Sequence, residues 1–318
     1  MQRISAAPIT KGSLIGIAAP ATCIEKNLLV KGAEKLASWG YAVRKDDRLL
    51  HRERSFAGTD AERAAVLASL VKDPSVRSIW CARGGYGVTR ILPLLDRIGL
   101  ARSMARDPKL LIGYSDITAL HLYFYERIGL KSLHAPLIAT PKWLKLPAAQ
   151  AKLLQTIIAG KMKLGAASHS TRWPTKWLAA KPKKAVEGVL LGGNLTLLAN
   201  LAGTPWQPNL KSAILFIEDC AEPPYRVDRM LTQIRNVGML EGVRAVLVGD
   251  LEADVVLKPG EKKNAWKDVL VDCLVNHGIP VMIGAPVGHG KYNEPLPLGV
   301  LARLTVAGKL EIWEQVVG

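Results

Sequence analysis

The chain has 318 residues, a length that accommodates about two domains of roughly 150 residues each. Hydrophobic residues make up 49% and charged residues 22%, an ordinary globular balance that excludes wholesale disorder. The formal net charge of +16 points first to a nucleic-acid binder, but twelve basic residues and no acidic one fall within residues 127–186, which leaves only +4 for the rest of the chain. No helix-turn-helix, zinc-finger or regular basic–aromatic pattern accompanies that excess, so no nucleic-acid partner is expected.

In chain order, Leu14–Ala19 reads as a short apolar strand. The wider run Leu14–Ile24 has a weak cationic flank and is read as a buried strand rather than a signal-peptide core. Leu28–Trp39 has helical spacing, and Arg77–Cys81 is strand-like and runs into Arg83-Gly84-Gly85-Tyr86-Gly87. Residues 88–98 look helical despite Pro93; Leu110–Gly113 is a strand, and 116–128 reads as the helix after it. Strands alternating with helices indicate a parallel α/β sheet covered on both faces. Residues 136–185 hold five prolines, one expected helix near 148–159 and most of the basic excess, and read as an inter-domain connection. From 186 onward the pattern is more mixed. Val186–Leu191, Ile214–Ile217, Ala245–Val248, Val281–Ile283, Gly299–Val306 and Leu310–Trp313 are strand-like, with helices expected after Asn194 and over Val227–Val237. The expected domains are therefore 1–135 and 186–318, joined by 136–185.

No apolar run reaches the ~18 residues of a membrane span, so no membrane partner and a cytoplasmic location are expected. Cys23, Cys81, Cys220 and Cys273 form no CxxC and read as reduced thiols. No HExxH or close histidine pair suggests a metal.

Chemistry concentrates in four places. Ser115, in Ile112-Gly113-Tyr114-Ser115-Asp116-Ile117-Thr118, follows an apolar strand and opens a helix, where free N–H groups favour developing negative charge. On position alone a plain helix cap is the favoured reading, and Ile117 breaks the GxSxG pattern of an α/β-hydrolase elbow. The Arg83–Gly87 loop can bring backbone N–H groups close to an anion; a dinucleotide fingerprint fits poorly because Arg90 occupies the third glycine position. Glu218, Asp219 and Glu222 end a strand, and spacing does not say which acid matters. His289 lies in a Gly-His-Gly loop after a strand, whereas His51, His121, His134, His169 and His277 read as core or surface residues.

Together these motifs resemble the LD-carboxypeptidase family of serine peptidases, which includes the microcin-immunity peptidases. The matches are Ala19-Pro20, RGGYG at 83–87, IGYSDIT at 112–118, LGGNL at 191–195, IEDCAEPPYRVDRML at 217–231, GAPVGHG at 284–290 and PLPLGV at 295–300. They occur in the family's order and cover most of the chain. The resemblance implies an N-terminal Rossmann-like parallel-sheet domain and a C-terminal domain with barrel-like β structure. It implies a catalytic triad of Ser115, Glu218 and His289, with the N–H groups of Gly85 and Asp116 as oxyanion donors, and it selects Glu218 over Asp219. It implies a homodimer without a cofactor that releases terminal D-alanine from murein tetrapeptides, or, alternatively, cleaves a peptidyl-nucleotide antibiotic. Arg83 and Arg226 are candidates by position for the substrate's terminal carboxylate. Trp173 and Trp177 are candidates either for stacking on adenine or for packing between domains.

Overall fold

The computed structural model describes every residue except Met1, Ala180, Lys258, Pro259, Glu261 and Lys263. Its strands are β1 (Leu14–Ala18), β2 (Ala42–Arg44), β3 (Val76–Cys81), β4 (Leu110–Gly113), β5 (Ser132–His134), β6 (Lys176–Trp177) and β7 (Val186–Asn194). They continue with β8 (Ala213–Glu218), β9 (Ala245–Val248), β10 (Val281–Ile283), β11 (Leu296–Leu298), β12 (Val300–Leu304) and β13 (Leu310–Ile312). The chain divides into two compact units. One comprises Met1–Met162, Pro295–Gly299 and Gln315–Gly318; the other comprises Lys163–Glu294 and Val300–Glu314.

The first unit holds a six-stranded sheet in the order β11-β5-β4-β3-β1-β2. β1 to β5 are parallel, and β11 pairs antiparallel with β5. The central strands are near-continuous apolar runs: all four residues of β4 are buried, as are five of the six in β3, as expected of strands covered on both faces. The chain runs from β1 outward to β2, then returns to β3 on the other side of β1. Strand order therefore reverses between β1 and β3, the position where open α/β sheets form a crevice outside their carboxyl ends. The loops after β1 and β3 meet there, tied by Ala82 N–H to Ala18 O (2.7 Å) and Thr22 N–H to Gly84 O (3.3 Å).

The helix Asp60–Lys72, which the sequence reading passed over, starts from a capping box in which Thr59 and Glu62 satisfy each other's backbone donors. Trp143 packs edge-on against Trp39 (5.1 Å between centroids) and Trp80 (4.9 Å), which tilt against each other at 6.5 Å. The Trp143 indole donates to Gly32 O at 3.2 Å, so Trp143 and its short helix Pro141–Leu144 are part of this core.

The second unit holds a seven-stranded sheet in the order β13-β12-β7-β8-β9-β10-β6. β7 to β10 are parallel; β12 and β13 flank them on one side and β6 on the other, each antiparallel to its neighbour. The two ends of this sheet meet without a ladder. Thr175 Oγ1 donates to Gly308 O (2.6 Å) and the Trp177 indole to Val306 O (3.2 Å), which curls the sheet into the half-barrel that the resemblance implied. β7 extends past Leu191 because Gly192 and Gly193 continue it at φ of +129° and +146°. A Cβ on Gly192 would lie 2.0 Å from Phe216 O.

The stretch 136–185 is divided between the units, Met162 closing the first segment of one and Lys163 opening the other. The expected strand Gly299–Val306 is Val300–Leu304, and a further strand, Leu296–Leu298, precedes it. Leu296–Leu298 joins the first sheet and Val300–Leu304 the second, with Gly299 between them at φ +74°. No helix among the described residues is long and apolar enough to cross a membrane. All four cysteines are free; Cys81 and Cys273 are buried, while Cys23 and Cys220 are half-buried.

Candidate active site

In the first unit, Ser115 stands on a sharp turn after β4. Its φ is +66°, in the left-handed region that costs a non-glycine residue on the order of 1–3 kcal/mol. The turn continues as one 3₁₀ turn, Ser115–Ile117, into the helix Thr118–Ile128. The Arg83–Gly87 loop comes against it. A Cβ on Gly84 would lie 2.9 Å from both Cβ and Oγ of Ser115. Gly85 has φ +98°, and a Cβ there would lie 2.1 Å from Thr22 Oγ1. That same Thr22 hydroxyl accepts a hydrogen bond from Tyr86 N–H (3.0 Å). The amide N–H groups of Gly85 and Asp116 have no backbone acceptor outside helices and strands among the described residues.

Two buried ionisable side chains hold this loop from behind. Asp116 Oδ2 accepts from Val88 N–H (2.8 Å), the first residue of the helix Val88–Arg97 that follows Gly87. Burial pushes the Asp116 carboxyl up to about 7, against the opposing pull of the Val88 N–H and the Arg63 guanidinium. Arg63 donates to the carbonyls of Pro20 and Gly87, pairs with Asp60 and lies over the Phe56 ring at 4.9 Å. His121 Nε2 lies 2.9 Å from Gly113 O. Thr22, Arg63 and His121 were not singled out from sequence. Their signals are a threonine after β1 and two polar residues on otherwise apolar helix faces, none of which distinguishes a scaffold residue from ordinary packing.

In the second unit, Glu218 is the last residue of β8 and fully buried. Its Oε2 lies 2.7 Å from His289 Nδ1. Burial disfavours the imidazolium of His289, but hydrogen bonds with Cys220 and Glu218, and their charge, outweigh burial and hold its pKa well above the usual imidazole range. The carboxylate needs room that only glycine leaves: a Cβ on Gly288 would lie 2.6 Å from Glu218 Oε2. Asn293 Oδ1 accepts from Gly288 N–H (3.1 Å) and fixes the loop that carries His289. Neighbouring Asp219 points elsewhere. It accepts from Asn194 Nδ2, from both N–H and Oγ1 of Thr196, and from Cys220 N–H, at 2.7–2.9 Å, and so anchors the start of the helix Leu195–Leu201. The two adjacent acids thus have separate partners.

Arg83 is exposed, donates to Cys23 O (3.1 Å) and has no carboxylate partner among the described residues. Arg226 is engaged by Glu222 at 3.4 Å. Trp173 is buried and its indole donates to Glu294 (2.7 Å), so its ring offers no free face, whereas Trp177 is half-buried. Lys163, Arg172, Lys176, Lys181, Lys183 and Lys184 are exposed and make no ion pair among the described residues. No group of three or more His, Cys, Asp or Glu among the described residues is arranged to hold a metal ion.

A serine on a strained strand-to-helix turn beside a glycine loop, in a chain that also holds a buried Glu–His pair, is a set of groups of the kind serine hydrolases use. The LD-carboxypeptidase N-terminal domain model matches residues 15–135 and the LD-carboxypeptidase C-terminal domain model matches 187–304. The chain belongs to the LD-carboxypeptidase family of peptidases. It is 33% identical over 308 residues to a probable murein peptide carboxypeptidase of Bacillus subtilis, covering 96% of this chain and 93% of that protein. The crystal structure of muramoyltetrapeptide carboxypeptidase from Oxalobacter formigenes superposes with a TM-score of 0.76 at 33% identity, covering 95% and 99% of the two chains. The microcin C7 self-immunity protein MccF of Escherichia coli is 28% identical over 337 residues, covering 98% and 96%. Its complex with glutamyl sulfamoyl guanosine matches with a TM-score of 0.86 at 24% identity over 99% of both chains, a likeness of fold.

Proposed function

We propose that this protein is a serine carboxypeptidase that hydrolyses the L,D amide bond releasing terminal D-alanine from murein tetrapeptides. The observation that carries the reading is the 2.7 Å contact between His289 Nδ1 and buried Glu218, the pairing that a serine general base requires. Ser115 Oγ attacks the scissile carbonyl carbon while His289 Nε2 takes its proton. Glu218 fixes the imidazole with its proton on Nδ1 and stabilises the imidazolium that forms. The N–H groups of Gly85 and Asp116 hold the tetrahedral oxyanion, one such donor being worth about 10²–10³ in rate. His289 then gives the proton to the departing amine of D-alanine, and water repeats the sequence on the acyl-enzyme. Arg83, exposed and without a carboxylate partner, is the better cation for the substrate's terminal carboxylate; Arg226 already has Glu222.

The exposed lysines of residues 163–184 raise the local concentration of an anionic peptide. The same reading carries a cytoplasmic location and a homodimer, the second of which sedimentation tests. A second reading, cleavage of a peptidyl-nucleotide antibiotic, is favoured by the MccF likeness over 98% of this chain. Incubation with a murein tetrapeptide and, separately, with an aminoacyl-sulfamoyl adenosine, followed by mass spectrometry, decides between them. Loss of one D-alanine from the first supports the peptidase reading; product from the second alone replaces it.

A further inference from the structure

We propose that His121 is a positioning residue for Ser115, its imidazole stapling the last carbonyl of β4 to the helix that follows the elbow. The inference rests on Ser115 being the nucleophile. The chain leaves the sheet at Gly113 and places Ser115 at φ +66° only two residues later. A residue held in that region persists only where its surroundings over-determine it. The Gly113 carbonyl is held twice: Ala135 N–H donates to it at 3.1 Å, and His121 Nε2 lies 2.9 Å away. A carbonyl only accepts, so Nε2 carries the hydrogen. His121 lies in the first turn of the helix Thr118–Ile128, so its bond spans the elbow from helix to strand end.

The ring is almost wholly buried, and its Nδ1 has no partner. An unpaired buried nitrogen is a cost that an apolar side chain of similar size would avoid, so packing alone does not account for an imidazole here. Burial, partly offset by the bond to Gly113 O, lowers its pKa to about 4. At neutral pH it is therefore an uncharged donor with a fixed tautomer, and it takes no part in proton transfer at Ser115.

The test separates the bond from the bulk. In a glutamine the amide nitrogen falls near Nε2; in an asparagine it falls near Nδ1; leucine removes the donor. His121→Gln, His121→Asn and His121→Leu are compared with the parent by the second-order rate of Ser115 labelling with a fluorophosphonate, by kcat and KM for D-alanine release, and by Tm. The expected result is at least about tenfold slower labelling and lower kcat in the Asn and Leu variants, with KM unchanged, because a reacting atom displaced by a fraction of an ångström loses rate steeply. The Gln variant labels within about threefold of the parent. A folded Leu variant that labels at the parental rate overturns the inference, as does a Gln variant that falls as far as Asn. If the Leu variant does not fold, the Gln and Asn pair decides. A parent protein that takes no label on Ser115 overturns the nucleophile reading itself, a result visible before any variant is made.

Discussion

Gly84→Ala changes one hydrogen for a methyl group at the point where the glycine loop meets Ser115. The backbone of Gly84 is not in the left-handed region, so alanine adopts it without strain and, by restricting the unfolded chain, adds about 0.4–1 kcal/mol of stability if nothing clashes. The new Cβ does clash. It would lie 2.9 Å from both Cβ and Oγ of Ser115, against an ordinary contact beginning near 3.4 Å. Ser115 or the loop must therefore retreat by about 0.5 Å, where a misplacement near 1 Å costs about 10²-fold in rate. The expected outcome is a kcat lower by about tenfold to 100-fold, with Tm within a few degrees of the parent. Fluorophosphonate labelling of Ser115 and D-alanine release from a murein tetrapeptide read the rate, and a thermal melt reads the fold. A variant with parental kcat and labelling rate would refute the claim that this glycine exists to admit the serine.

Gly85→Ala should behave oppositely, lowering Tm by several degrees, because its φ is +98° and its Cβ would meet Thr22 at 2.1 Å; an unchanged melt would show that the loop adapts. Glu218→Gln should lower kcat by about 10³–10⁴-fold with the fold intact, whereas Asp219→Ala should cost about 1–3 kcal/mol in urea unfolding through loss of buried hydrogen bonds; equal effects would refute the division of labour. Because the folded pKa of His289 is raised, the acid limb of kcat/KM should lie above that of free imidazole and move down in Glu218→Gln; a limb that stays put argues against the pairing. The same shift makes the stability contributed by His289 fully present below its ordinary value near 6.5 and lost as pH rises through the higher folded value, so alkaline melts should fall less steeply in His289→Ala. Charge reversal at Lys181, Lys183 and Lys184 should lower kcat/KM and flatten its dependence on salt; no change in either removes these lysines from substrate gathering.

The parallel sheet, the helix after Ser115 and the family were legible because apolar runs and glycine loops have local signatures. The choice between Glu218 and Asp219 was not legible from spacing alone. Neighbouring residues at a strand end face opposite ways, and which way each faces depends on the sheet register (Asn194 opposite Glu218) rather than on either residue's type. His121 was passed over for a similar reason: on a helix whose residues from Thr118 to Phe124 are all buried, only the position of the Gly113 carbonyl separates a staple from filler. The reading of 136–185 as a connection followed its prolines and charge. Trp143 within the first core and Thr175 within the second show that those residues are claimed by packing partners more than a hundred positions away, which composition does not report.

The chain passes from one unit to the other four times, at Met162, Glu294, Gly299 and Glu314. A gene segment ending at Met162 would encode the first sheet without Leu296–Leu298 and leave β5 as a raw edge, the kind of edge on which chains aggregate. Neither half can be cut out and spliced elsewhere as one contiguous exon-like piece. Ser115 in one unit and the Glu218–His289 pair in the other thus lie in halves that interleave along the chain.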